Sequence, residues 1–296
     1  MFIEDMDDDS AYEMLVDGGV SSYETQYLEL AQKILDEGEW IDNERTGRKC
    51  LTIPSHTFEY GEEIPLLTTR PSYPVSAWAE MLGYLRRYEW ANQFADIGSP
   101  TWDVNSNHTE AWLVNPNRIG HNHIGKCYGA ALGDYELPEL FDKLNRHVDD
   151  RGLMINFWKP EKFELGCLRP CMYRHLFTIL GDTLYLESSQ RSCDYMCGKN
   201  FNALQVWFLL KHACKITGLK FGGAKHHIVN IHIYDKHING VKELLRRTPT
   251  DLDVNFRISE WVKSFEDLTE NDTHAREYFK LEGYSPQPKI DFELVA

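Results

Sequence analysis

Three stretches of the sequence carry side chains whose types and spacing could do chemistry. Arg169-Pro170-Cys171 sets a thiol directly after a proline. Proline pushes its predecessor toward extended geometry, so Cys171 stands at a stiff approach to a strand. A lone cysteine in such a place reads as a small buried hydrophobe. The second stretch, QRSCDYMCGKNFN, changes that reading. It crowds Gln190, Arg191, Ser192, Asp194, Asn200 and Asn202 between a strand and a strongly apolar helix. Part of it must be buried, and buried polar groups need partners. Arg191 and Ser192 suit a phosphate, by a charged fork plus a hydroxyl. Asn202 offers a donor and an acceptor together, which matches a cyclic amide edge. A cation at Arg191 near Cys171 would favour the thiolate, the nucleophilic form. The third stretch, Glu44-Arg45-Thr46-Gly47, is by itself a charged surface turn.

A metal centre is the competing chemistry. Cys167-x3-Cys171 and Cys193-x3-Cys197 imitate ligand pairs, but zinc ribbons more often leave two residues between cysteines. No metal is expected. His226, His227, His232 and His237 fall on or beside one strand, and their side chains would not converge there. Each is expected to be a hydrogen-bonded histidine, except His232, which shares a face with Tyr234.

The elements that must hold these residues are legible in outline. From Tyr23, the pattern YETQYLELAQKILDEG sets Tyr27, Leu30, Ala31, Ile34 and Leu35 on one helical face, with Gly38 as the stop. Residues 76–95 read as one mostly buried helix, 137–148 as another and 202–217 as a strongly apolar third. Residues 100–126 lack periodicity, and long irregular segments in compact domains are often functional. HLFTIL and TLYLESS flank Gly181-Asp182 in a hairpin pattern. Residues 228–234 alternate like a strand, with Asn230, His232 and Tyr234 opposite Ile231 and Ile233. Helices and strands intermix, so the expectation is one α/β domain over 23–296, preceded by an acidic, weakly ordered arm over 1–22.

Composition limits the partners. Formal net charge is −15 over 296 residues. Such acidity is a poor match for non-specific duplex binding, which needs lysine and arginine to neutralise phosphates. No stretch approaches the roughly 20 apolar residues that span a bilayer, and the N-terminus lacks the pattern of a signal peptide. Seven cysteines in such a chain are expected as thiols in a reducing cytoplasm.

Taken in order from about Tyr27 to the C-terminus, these pieces resemble the thymidylate synthase family. Arg45-Thr46-Gly47 looks like the family's phosphate loop, and Pro65 to Thr69 like its PL(V/L)TT. Glu80 in AEMLGYL matches the catalytic glutamate, Trp102 in TWD the tryptophan beside the pyrimidine, and Tyr128-Gly129 the YG pair. Asp150-Arg151 matches the D-x-R-R segment, Pro170-Cys171 the nucleophile, QRSCDYMCGKNFN the QRSxDxxLGxPFN run, His232-Ile233-Tyr234 the H-x-Y pair, and Tyr284 to Ile290 the closing GYxPxPxI. Departures are Met172, Gly152, Cys197, Asn200, the Ala-Ala-Leu after Gly129, and the Leu-Val-Ala end.

The resemblance implies a thymidylate synthase-like α+β fold, with a mixed sheet whose face forms a homodimer. It implies dUMP as substrate and 5,10-methylenetetrahydrofolate as co-substrate. Cys171 would add to C6 of uracil, which makes C5 nucleophilic, and Glu80 would move protons at O4 and C5. Trp102, Tyr128 and Asp194 complete the implied catalytic set. Arg45, Arg191, Ser192 and Arg151 of the second subunit would hold the phosphate. Gln190 and Asn202 would bind the substrate, Asn202 at uracil O4 and N3, with His232 and Tyr234 on the deoxyribose. His56, Trp102, Asp194, Gly198 and Ala296 would bind the reduced folate. The implied product is dTMP. Two alternatives stand beside it: a phage-type hydroxymethylase, in which water replaces hydride, and a paralogue that binds nucleotide without turnover.

Overall fold

A computed structural model describes residues 22–44, 47–148 and 150–294. The acidic arm up to residue 21, Arg45 and Ala296 lie outside the described residues. Helix α1 (Ser22–Glu37) buries the stripe its spacing announces, with Tyr27, Leu30, Ala31 and Ile34 inside and Leu35 partly covered. Gly38 follows it at a place that only glycine fits, because a β-carbon there would stand 2.5 Å from the Ile34 carbonyl and 2.8 Å from Leu51. Strands β1 (Glu39–Asn43) and β2 (Arg48–Tyr60) follow as an antiparallel pair.

The single helix expected over 76–95 is two. Helix α2 (Pro74–Leu85) begins on a proline, which tolerates the first helical turn. Arg87 then takes a left-handed backbone (φ 59°), and α3 (Ala91–Asp96) folds back. Gly83 permits the close packing, since a β-carbon there would lie 2.2 Å from the Phe94 ring. Without one, Phe94 packs straight onto the α2 backbone. The apolar pattern runs on through both helices, so periodicity alone hides the break.

The irregular stretch holds two short helices, α4 (Asp103–Asn107) and α5 (Glu110–Leu113). Helix α6 (Glu136–Asn145), strand β3 (Met154–Asn156), then β4 (Met172–Leu180) and β5 (Thr183–Gln190) come next. The expected hairpin is present, closed by Leu180 pairing with Thr183. Strand β6 (Cys193–Asp194) leads to helix α7 (Lys199–Thr217), which starts three residues before the apolar run suggests, and to β7 (Lys220–Tyr234). Helix α8 (Ile238–Leu244), β8 (Asn255–Ile258), α9 (Phe265–Thr269) and β9 (Phe279–Glu282) complete the order.

The main sheet is mixed and seven-stranded, in the order β1-β2-β7-β5-β4-β3, with β6 also on β7. Strands β5 and β6 run parallel to β7, and the other neighbours are antiparallel. Helix α7 is almost wholly buried between this sheet and α2. On the opposite side of the sheet Tyr185, Lys225, His227 and Val229 are exposed. The alternation in β7 changes phase at Asn230, whose φ of 49° is left-handed. Ile228 is buried before it, and Ile231 and Ile233 after it.

Candidate active site

The hairpin places the nucleophile. Leu180 pairs with Thr183 and Arg174 with Ser189, but Met172 pairs with Gln190. One extra residue on β4, Tyr173, causes this slip. Cys171 therefore stands across from Arg191, whose N–H donates to the Cys171 carbonyl at 2.9 Å. The Arg191 side chain donates to the carbonyls of Pro170 and Arg169, each at 2.9 Å, and its Nη2 lies 3.9 Å from the Cys171 sulfur. Backbone tethers thus hold a positive charge beside a half-buried thiol, a field that stabilises a thiolate. The backbone N–H of Cys171 donates to the Tyr128 hydroxyl at 3.0 Å. Tyr128 stacks on Tyr84 with centroids 4.3 Å apart. Gly129 makes this possible, because a β-carbon there would fall 1.6 Å from the Tyr84 carbonyl oxygen.

A connected run of amides leads from Gln190, the strand residue before Arg191, to a buried carboxyl. Gln190 Nε2 donates to the Ser192 carbonyl at 2.8 Å and to Asn202 Oδ1 at 3.2 Å. Asn202 Nδ2 donates to Gln205 Oε1 at 2.9 Å, and Gln205 Nε2 donates to Glu80 Oε1 at 3.1 Å. Glu80 also accepts from the Tyr84 hydroxyl at 2.7 Å and from the Thr101 hydroxyl. Burial raises the Glu80 carboxyl above its ordinary range, and the bonds from Thr101, Tyr84 and Gln205 pull it back in part. A carboxyl so balanced can both give and take a proton. Trp102 is buried and meets Tyr128 edge-on at 5.9 Å.

Asp194 anchors a neighbouring site. Its Oδ1 accepts from the N–H groups of Met196 and Cys197 at 3.1 and 3.2 Å, while Oδ2 is buried without a hydrogen-bond partner. His237 Nε2 donates to the Glu293 carbonyl at 2.8 Å, and its Nδ1, also lacking a hydrogen bond, lies 3.9 Å from Asp194 Oδ1. The ligand atoms of Asp194, Cys197 and His237 all fall within 4.8 Å of one another, the one such metal-capable cluster among the described residues. Burial pushes the Cys197 thiol up to about 12, which works against metal binding by thiolate. Gly198 sits between the two halves of the site, with Asp194 O and Asn202 Oδ1 at 3.2 and 3.5 Å from where its β-carbon would be. Beside Cys197 opens a cavity of about 210 Å³, lined by Arg70, Tyr73, Met196, Lys289 and Phe292 among others.

Other expected residues fall elsewhere. His232 pairs in register with Asp194, and its Nδ1 bonds Asn230 Oδ1 at 3.0 Å; Tyr234 packs edge-on against it. Arg151 is exposed in the turn before β3, the edge strand farthest from β1. His56 is the expectation the geometry turns away. It pairs with Ile228, four residues along β7 from the Asp194 partner His232, or about 13 Å at 3.3 Å per residue. It lines a separate cavity with Gln26, Glu29 and Lys33 of α1. Among the suspected metal pairs, the close neighbour of the Cys167 sulfur is Cys127 at 3.7 Å, and Cys193 is buried with its thiol pushed up.

Sequence reading passed over Gln205, Tyr84 and Thr101, and took His237 for a hydrogen-bonded histidine with no place in the site. The signal for the first two was present: Tyr84 stands four residues after Glu80 and Gln205 three after Asn202, spacings that share a helical face. Thr101 and His237 depend on tertiary placement.

A thiol flanked by a cation, with a run of oriented amides nearby that ends on a buried carboxyl, defines an enzyme site suited to covalent chemistry. Comparison with known proteins agrees. Residues 25–296 match the family model described as thymidylate synthase. The thymidylate synthase of Aliivibrio fischeri is 47% identical over 256 residues, covering 82% of this chain and 90% of the relative. That of Idiomarina loihiensis is 44% identical over 284 residues, covering 92% and 99%. That of Vibrio vulnificus is 44% identical over 280, covering 90% and 98%. The chain belongs to the thymidylate synthase family.

Proposed function

We propose that this chain transfers a one-carbon unit from 5,10-methylenetetrahydrofolate to C5 of dUMP, yielding dTMP and dihydrofolate. The observation that carries the proposal is Cys171 held beside Arg191 at one end of the amide run that reaches Glu80. Uracil C5 is a poor nucleophile. The Cys171 sulfur bonds C6, the C5–C6 π electrons shift toward C5 and O4, and C5 becomes able to attack. Arg191 keeps N–H groups beyond its two backbone tethers for the 5′-phosphate, with Ser192, Arg45 and Arg151 of the second subunit. Gln190 and Asn202 hold the base, His232 and Tyr234 the sugar, and Trp102 and Tyr128 wall the ring. Fixing C6 against sulfur in this way converts the addition into an intramolecular step. Glu80 moves protons at O4 and C5, then accepts the C5 proton whose loss permits release of sulfur.

The folate fits the second half of the site. Asp194 Oδ2 and His237 Nδ1 are buried polar atoms without hydrogen bonds, and the N–H groups of a pterin are suitable partners. Gly198 leaves room beside them, and the cavity by Cys197 offers cations at Arg70 and Lys289. When bound, the folate supplies the methylene carbon and the hydride. No step calls for a metal. Among the outcomes weighed, the relatives' names favour methylation over hydroxymethylation or binding alone.

We further place residues 23–296 in one catalytic domain that pairs with a second copy through the exposed sheet face around Tyr185 and Val229. No described helix is long and apolar enough to cross a membrane, and a cytoplasmic setting would keep Cys171 reduced. The test incubates the protein with dUMP and the folate, identifies the nucleotide and follows dihydrofolate absorbance. Methylation gives dTMP and dihydrofolate together. 5-Hydroxymethyl-dUMP with no dihydrofolate would overturn it, as would failure of Cys171 to form an adduct with 5-fluoro-dUMP.

A further inference from the structure

The amide run has a direction. Every link donates the same way, from Gln190 to Asn202, from Asn202 to Gln205, and from Gln205 to Glu80. Both ends are fixed by groups that only accept. At one end Gln190 Nε2 also donates to the Ser192 backbone carbonyl. At the other end an ionised Glu80 can only accept. Reversing one amide would set oxygen against oxygen and nitrogen against nitrogen, so a reversal has to run through the chain to Glu80. Gln205 is the link that carries this constraint. It is fully buried, and each end of its amide is engaged. Asn202 is left with one N–H and one oxygen lone pair in a set orientation. Uracil presents an acceptor at O4 and a donor at N3, which that orientation meets. Cytosine presents a donor at N4 and an acceptor at N3, and would need Asn202 turned over.

We propose that Gln205 is the positioning residue that fixes the polarity of Asn202 and ties it to the charge on Glu80, so that the site favours a uracil edge over a cytosine edge. This rests on the proposed dUMP chemistry. It adds that base choice is set one side chain behind the base-reading residue. The groups facing Glu80 are Tyr84 from its own helix, Thr101 from the short turn Pro100–Trp102 beyond α3, Gln205 from α7 and, beyond Tyr84, Tyr128 with the Cys171 backbone. Burial holds both phenols well above their ordinary range, so neither titrates near neutrality.

Two variants separate the two halves of the proposal. Gln205→Met keeps the length and loses both polar ends. Binding of dUMP and dCMP, each alone by calorimetry, should show the preference for dUMP falling by about tenfold or more. Gln205→Glu still accepts from Asn202 but faces Glu80 with a like charge. It should keep the preference while the Glu80 limb of the kcat profile moves up by about one pH unit. A residue that merely filled space would lower both properties with stability and would not split them. Near-UV circular dichroism and melting check that each variant is folded. Should Gln205→Met not fold, Gln205→Glu decides: an unmoved limb overturns the proposal. A folded Gln205→Met protein with the parent's full preference overturns it too. An inactive parent that forms no adduct with 5-fluoro-dUMP sinks the dUMP reading itself. An active parent with unresponsive variants sinks this inference alone.

Discussion

The first turns of α7 bury polar groups on two sides, and the two sides solve the problem differently. On one side Asn202 and Gln205 find partners of matching polarity and end on a carboxylate. On the other, Lys199 is fully buried with one conventional acceptor, the Tyr60 hydroxyl at 2.9 Å. Its amine otherwise faces rings, with Phe58 at 3.7 Å, Tyr23 at 4.8 Å and Tyr60 at 5.2 Å. Burial brings the Lys199 amine down to about 7, while the ring faces oppose that drop by favouring the cation. One side keeps its groups polar by pairing them; the other keeps its group buried by letting it shed charge. The paired side is available for chemistry. The caged side makes stability depend on pH.

Breaking the paired side at its mouth has the largest expected effect. Cys171→Ser should lower kcat by at least about 10⁴-fold while dUMP still binds. Single-turnover assays beside calorimetry check this, and a variant that keeps more than a small fraction of the rate would remove the nucleophile assignment. The caged side comes next. With a folded-state value near 7 against an unfolded value near 10.4, the unfolded chain binds the extra proton between the two. Stability therefore rises with pH across that window, by on the order of 4 kcal/mol from about pH 7 to 10 for this group alone. Denaturant melts over that range should show the slope, and Lys199→Met should flatten it. An unchanged slope would mean that the rings hold the cation through the whole range. The smallest effect is expected at the reading position. In Asn202→Asp a carboxylate can no longer donate to Gln205, and preference should move toward dCMP by about tenfold or more. Unchanged relative binding of the two nucleotides would separate base choice from this side chain.

Much of the frame was legible because it is periodic or local. The α1 stripe, the Gly181-Asp182 hairpin and the apolar α7 all follow from spacing within one element. The fold-back at Arg87 was not legible, since the Phe94 ring that packs on Gly83 comes from another helix. The site divided in the same way. Cys171, Arg191 and Asn202 stood out by type and order, and Gln205 could have been found from its place on the Asn202 face. The meeting of Asp194 with His237 could not, because β7 and the turn beyond it bring them together. His56 shows the opposite failure: a suitable residue type in a β-strand, carried by register to another cavity.

The extra residue at Tyr173 has one more consequence. After it, His175, Phe177 and Ile179 point to the core; before it, Met172 does. The strand thus carries a parity, and the position of the sulfur relative to the core is stored as a count. Substitutions leave a count untouched, however drastic they are. Deleting Tyr173 would restore strict alternation and leave Met172 inward and Cys171 across from Arg191, whereas drawing Tyr173 into the ladder with no residue removed would exchange the two and turn the thiol's neighbourhood inside out.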